Sequence, residues 1–195
     1  MEEQMILLFL VSLYICIILH ELGHLLTAKL VGCHVEVFSI GFGKELYSFN
    51  FKGTKYRIAL FPLGGYNQLK HELDYCRDKH ALPNLTYSKK LLVLSAGCII
   101  NIVTGLIAFF IGLKLLNYNL FYFGAISTML GITNFLPFPA LDGSYPLLFL
   151  VEKIIPKKYA LQLIRFLVKW GFYILMAINI ACIPYAWHLL KVGKL

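Results

Sequence analysis

From Leu91 to Leu113 the chain runs without a single charged side chain. A run of this length and apolarity is what an α-helix needs to cross a bilayer, about 20 residues. It constrains the fold more than any other feature. Backbone in lipid must satisfy its own hydrogen bonds, which leaves helices and closed barrels. Three further runs have the same character: Met5 to Leu19, continued by Leu25 and Leu26 to about Val31; Leu115 to Leu141; and Trp170 to Leu190. Of the 195 residues, 59% are hydrophobic and 14% charged, against roughly a quarter charged in soluble domains. This excludes a simple soluble domain, a disordered chain and a nucleic-acid-binding module. The formal net charge of +8 fits loops that flank membrane spans. Cys16, Cys33, Cys76, Cys98 and Cys182 show no zinc-ribbon or disulfide spacing.

The expected fold is therefore an all-α polytopic membrane protein forming a single domain over residues 1–195. It has about four transmembrane helices, near 5–31, 90–114, 119–151 and 169–190. The first run follows Met1, Glu2, Glu3 and Gln4, with no basic region and no small-residue cleavage site, so it reads as a retained span. Between the first two spans lies a β-rich insert of about 34–69. There, β-rich runs flank Lys52, Gly53 and Thr54, a hairpin signal. Leu69 to Tyr87 reads as a polar surface loop. Lysine and arginine number fourteen in the first and third connections and three in the second connection and C-terminal tail. The positive-inside rule then puts both termini outside and the insert in the cytosol. The setting suggested is a prokaryotic plasma membrane.

Ionisable groups inside a span are costly and point to function. Of the ten acidic residues, only Glu21 and Asp142 sit inside the expected apolar spans. Glu21 belongs to His20-Glu21-Leu22-Gly23-His24, an H-E-x-x-H pattern. On a helix, residues four apart share a face, about 6 Å apart along the axis. Two imidazoles so placed suit two corners of a tetrahedral zinc site, and Glu21 suits a general base that is not a ligand. The competing explanation is a chance match. Depth selects the third ligand. His20 and Asp142 both fall in the cytosolic half of their spans, whereas His188 falls near the outer surface. His34, His71 and His80 belong to the cytosolic loop. An interfacial ion pair with a lysine is the alternative for Asp142. Pro137, Pro139 and Gly143 break the helix that carries it, and irregular backbone at membrane depth belongs where it lines a wet cavity. Cys16 reads as a packing residue. His71, Cys76 and His80 read as a solvated loop rather than a second metal site.

These residues resemble the site-2 protease family of intramembrane zinc metalloproteases, in a compact form without a PDZ domain. The resemblance rests on His20 to His24, on Phe38-Ser-Ile-Gly41-Phe-Gly43, and on Phe61-Pro62-Leu63-Gly64-Gly65-Tyr66. It also rests on Ser95 through Asn101 and on Asn134 through Gly143. It implies one zinc ion per chain held by His20, His24 and Asp142, with Glu21 as general base. It implies a membrane-associated hairpin whose edge, near Gly64, Gly65 and Tyr66, binds an unwound substrate segment. Asn101 would engage substrate backbone or serve close helix packing. Asn134 would contact substrate or support the broken helix. Where the family often has proline and V-K, this chain has Cys98 and Asn67-Gln68. The expected partners are the lipid bilayer and transmembrane or membrane-bound peptides: single-span proteins, remnant signal peptides or propeptides. No nucleic acid is expected. The alternative is a metal-binding membrane scaffold or metal transporter without proteolytic activity.

Overall fold

The structure is a computed structural model. It describes residues 2–70 and 77–192, and for residues 2–3, 63, 152, 179–180 and 182–192 the backbone alone. His71, Cys76 and the His188 side chain lie outside the described residues. The chain order is α1 (Glu2–Leu30), β1 (Val35–Phe51), β2 (Thr54–Leu69), α2 (Tyr87–Leu115), α3 (Tyr118–Asn134), α4 (Tyr145–Leu150) and α5 (Lys157–Val192).

Three helical stretches among the described residues are long and apolar enough to cross a membrane: Gln4–Leu30, Tyr87–Leu115 and Lys157–Ile178. The chain is thus an integral membrane protein, mostly helical, with a small antiparallel sheet. The expected break in the third run is present, and the last helix begins earlier than expected. The helix begun at Tyr118 stops at Asn134, and the chain leaves helical geometry through Pro137 and Pro139 before Asp142–Ser144 makes a single 3-10 turn. Proline removes an amide donor and clashes with the preceding turn, so a continuous helix over 119–151 is not available. The last helix begins at Lys157 instead of about 169. Lys158, Arg165 and Lys169 are exposed on it, and such long side chains carry their charge outward along an apolar surface.

Small residues bring the helices into contact. Only Leu116 and Asn117 separate α2 from α3, and the Asn117 side chain caps α3 by accepting from Leu120 N at 3.1 Å. A Cβ at Gly105 would stand 2.6 Å from Thr128 N, and one at Gly131 would stand 2.7 Å from Cys98 O. Between α1 and α2, a Cβ at Gly23 would stand 2.9 Å from Ala96 O. In lipid there is little hydrophobic gain from helix association. Close backbone approach through small residues and interhelical hydrogen bonds is what holds such bundles.

The strands turn through Lys52 and Gly53, both at positive φ (47° and 76°), the geometry of a two-residue hairpin turn. Their register runs from Phe51 opposite Thr54 to Val35 opposite Leu69. Val37 to Ile40 pair with 65–68 and also with 55–58. The opening half of β1 is therefore flanked on both sides, and residues 65–69 form an outer edge. Lys29 donates to Tyr56 Oη at 2.8 Å, tying the end of α1 to the sheet. Beyond it, the Lys70 ammonium 2.8 Å from Asp78 draws that carboxyl down to about 2.

Candidate functional site

One face of α1 carries His20 and His24, both buried. Their rings stand 4.7 Å apart, almost perpendicular. The broken segment delivers Asp142 to them. Its Oδ2 lies 2.8 Å from His20 Nε2 and 3.2 Å from His24 Nε2, and the two Nε2 atoms are 3.2 Å apart. Donor atoms about 2.0–2.1 Å from a zinc ion stand roughly 3.4 Å apart at tetrahedral corners. The triangle is thus close to what such an ion requires, and a two-histidine, one-carboxylate set suits zinc. His24 adds an independent sign of fit. Its Nδ1 lies 2.7 Å from Val93 O, which only accepts, so the proton sits on Nδ1 and the Nε2 lone pair is free for a metal.

The segment that presents Asp142 closes its own hydrogen bonds. Phe138 N donates to Leu136 O, Leu141 N to Phe138 O and Ser144 N to Leu141 O. Ala140 takes a positive φ of 87°. A Cβ at Gly143 would collide with the Phe135 carbonyl, and one at Gly171 would stand 2.5 Å from Pro139 Cβ. Gly143 therefore lets the segment fold back on the end of α3, and Gly171 lets α5 buttress it.

Glu21 faces the same space as His24 and Asp142. It lines a cavity of about 250 Å³ with His24, Asp142, Gly65, Tyr66, Asn67 and Tyr145. The sheet's outer edge forms one wall. A Cβ at Gly65 would stand 2.9 Å from Glu21 Cγ and 2.9 Å from Ser39 O, so a glycine is what lets the strand approach the carboxylate.

Of the residues singled out in the sequence, the structure brings together His20, Glu21, His24, Asp142, Gly65 and Tyr66. Gly64 sits one residue off the cavity, where a Cβ would meet the Phe42 ring. Asn134, the last residue of α3, is not among the described residues that line the cavity. Asn101 is fully enclosed behind His20, with Nδ2 3.5 Å from His20 Nδ1. Cys98, where the family often has proline, points its thiol at Asp142 Oδ2 from 3.6 Å.

Asn67 is the cavity residue beside Glu21 that sequence reasoning missed. Its amide donates at 2.8 Å to both the Glu21 backbone carbonyl and Glu21 Oε2, fastening the carboxylate to the strand edge. Its departure from the usual V-K was visible, but its partner, 46 residues away, was not. Asn67→Ala is expected to lower turnover about 10- to 100-fold with bound zinc unchanged, since a small displacement of a reacting group costs that much. Steady-state cleavage and zinc content on the same preparations check it.

A bundle of apolar helices, a carboxylate on a broken segment and an H-E-x-x-H pair define a membrane-embedded protein with a metallopeptidase-type metal group. The sequence model of the family described as Peptidase family M50 matches residues 8–121. This is more than half of the chain, which therefore belongs to that family. The match ends before Asp142, whose place rests on the geometry. A Campylobacter jejuni protein that bears the name of a zinc metalloprotease is 44% identical over 109 residues, covering 53% of this chain and 29% of its own. One from Helicobacter pylori, named likewise, is 37% identical over 103 residues, covering 48% and 29%. The regulator of sigma-E protease RseP of Salmonella typhimurium is 36% identical over 108 residues, covering 53% and 24%. The chain spans less than a third of the length of these relatives.

Proposed function

We propose that this chain is an intramembrane zinc metallopeptidase that hydrolyses peptide bonds in membrane-spanning or membrane-bound segments. Its substrates would be single-span proteins, remnant signal peptides or propeptides. The convergence of His20, His24 and Asp142 into one triangle, with Glu21 lining a cavity beside His24 and Asp142, carries this reading.

The ligand set suits zinc. When bound, zinc supplies Lewis acidity towards a peptide carbonyl and towards water. The chain's own groups account for the rest. Glu21 takes the proton of the attacking water and returns it to the leaving amine as the C–N bond breaks, giving one carboxylic acid and one amine. Asn67 keeps that carboxylate turned to the cavity. The outer edge at Gly65 and Tyr66 has backbone groups to pair with an unwound substrate, because extended chain exposes amides that a helix hides.

The proposed arrangement in the bilayer follows the charge pattern. Both termini lie outside and the cavity opens to the cytosolic half. The third crossing is made by α3 with the broken segment, which brings the spans to four. Phe42, Leu46, Phe49, Phe51 and Phe61 are exposed on the strands, an apolar surface that suits the interfacial layer of the membrane.

The test is the full chain reconstituted with a panel of tagged single-span peptides, with fragments read by mass. Removing zinc with a chelator should reduce cleavage to background, and adding zinc back should restore it. Cleavage indifferent to chelation would overturn the metallopeptidase reading. Zinc held tightly with no peptide cut would favour the scaffold or transporter.

A further inference from the structure

We propose that Asn101 is a positioning residue that sets the tautomer of His20, and through it the affinity of the site for zinc. It rests on the proposed zinc site but not on peptide hydrolysis. For His20 Nε2 to offer its lone pair to a metal, the ring proton must sit on Nδ1, and a buried Nδ1–H needs an acceptor. His24 has one in the Val93 carbonyl. Among the described residues, the hydrogen-bonding group at His20 Nδ1 is the Asn101 amide, with Nδ2 3.5 Å away.

Asn101 is fully enclosed, and its Oδ1 is buried with no hydrogen-bond partner among the described residues. Such an orphan acceptor is costly, because it has given up its bonds to water without replacing them. A half-turn of the amide exchanges two groups of nearly the same shape. It brings Oδ1 to Nδ1, where it accepts the ring proton. One rotation thus gives the orphan a donor and leaves the Nε2 lone pair towards the triangle. The opposite orientation puts an N–H against Nδ1 and the ring proton on Nε2, which then donates to Asp142 Oδ2 at 2.8 Å. The two amide orientations therefore correspond to a ligating and a non-ligating His20. The backbone that carries this side chain is held from behind, since Ser127, itself fully buried on α3, donates to the Asn101 backbone carbonyl at 2.9 Å. α3 contributes to the metal site in this way without touching it.

Two variants separate this role from packing. Asn101→Leu keeps the volume and removes the acceptor. Asn101→Asp keeps an acceptor facing Nδ1. Zinc affinity is read by competition with a chelator of known affinity on the full chain in lipid nanodiscs, and thermal stability on the chelated protein. Loss of such a partner typically weakens metal binding 10- to 100-fold. Asn101→Leu should show that loss while the chelated protein is no less stable than wild type, and Asn101→Asp should bind zinc within a few-fold of wild type or more tightly. Wild-type affinity in Asn101→Leu, equal losses in both variants, or a wild type that takes up no zinc would each overturn the assignment. If the zinc affinities follow this order but wild type cuts no peptide, Asn101 keeps its role and the peptidase reading falls.

Discussion

Glu21→Gln should lower peptide cleavage about a thousandfold and leave bound zinc unchanged. The size follows from losing a positioned acid–base group, worth roughly 10²- to 10⁴-fold. Zinc should stay because Glu21 is not in the triangle, whose donor atoms come from His20, His24 and Asp142. Glutamine has the same length, and its carbonyl oxygen can take the bond from the Asn67 amide that Glu21 Oε2 now accepts at 2.8 Å. The cavity wall therefore survives and only proton transfer is removed. Zinc content by elemental analysis and single-turnover cleavage on the same sample make the check. Cleavage within tenfold of wild type would remove Glu21 from the chemistry. Loss of zinc would mean that it helps to hold the metal.

The metal triangle was legible in the sequence because local geometry dictates most of it. An i, i+4 pair on a helix can only share a face, and two prolines and a glycine around a carboxylate can only interrupt a span. Depth then sufficed to pair Asp142 with the histidines across 118 residues. The hairpin was legible too, since Lys52 and Gly53 take the positive φ values that a two-residue turn demands. What stayed hidden depends on contacts that no periodicity encodes. Val37 lies opposite both Gln68 and Lys55, and that doubled pairing decides which segment becomes the outer edge beside Glu21. Asn67 looked like a departure from a pattern, and only the approach allowed by Gly65 gives it a partner. Asn101 stood equally for a substrate contact and for packing, because a side chain buried between helices and one lining a groove look alike in a G-x-x-x-N spacing. The break in the run after Tyr118 was legible from Pro137, Pro139 and Gly143, but hydropathy stays high through it and does not say that the helix ends at Asn134.

Gly97→Ala should cost more zinc affinity than any substitution outside the ligands. A Cβ at 97 would collide with His24 Nε2 and stand 2.8 Å from His20 Cε1 and 2.8 Å from the His20 backbone carbonyl. Two of the three obstacles are the rings that form the triangle, and the third is the backbone of α1 itself. The rings cannot turn aside, because His24 is fixed by Val93 O at 2.7 Å and His20 backs onto the enclosed Asn101. Nor can α1 shift cheaply, since the same crossing is tight at Gly23, where a Cβ would stand 2.9–3.0 Å from Ala96 and Gly97. The added methyl must spread the donor atoms, and a tetrahedral ion tolerates only a few tenths of an ångström. We expect affinity to fall at least about 100-fold and cleavage to vanish with it. Gly105→Ala is the control. Its Cβ would meet Thr128 Oγ1, Thr128 N at 2.6 Å and Gly124 O at 2.9 Å, all on α3 and none of them a ligand. That substitution should lower thermal stability while the folded fraction keeps its zinc. Chelator competition on both variants decides the matter: a Gly97→Ala protein with wild-type zinc affinity would mean that the α1–α2 contact at Gly97 serves packing alone.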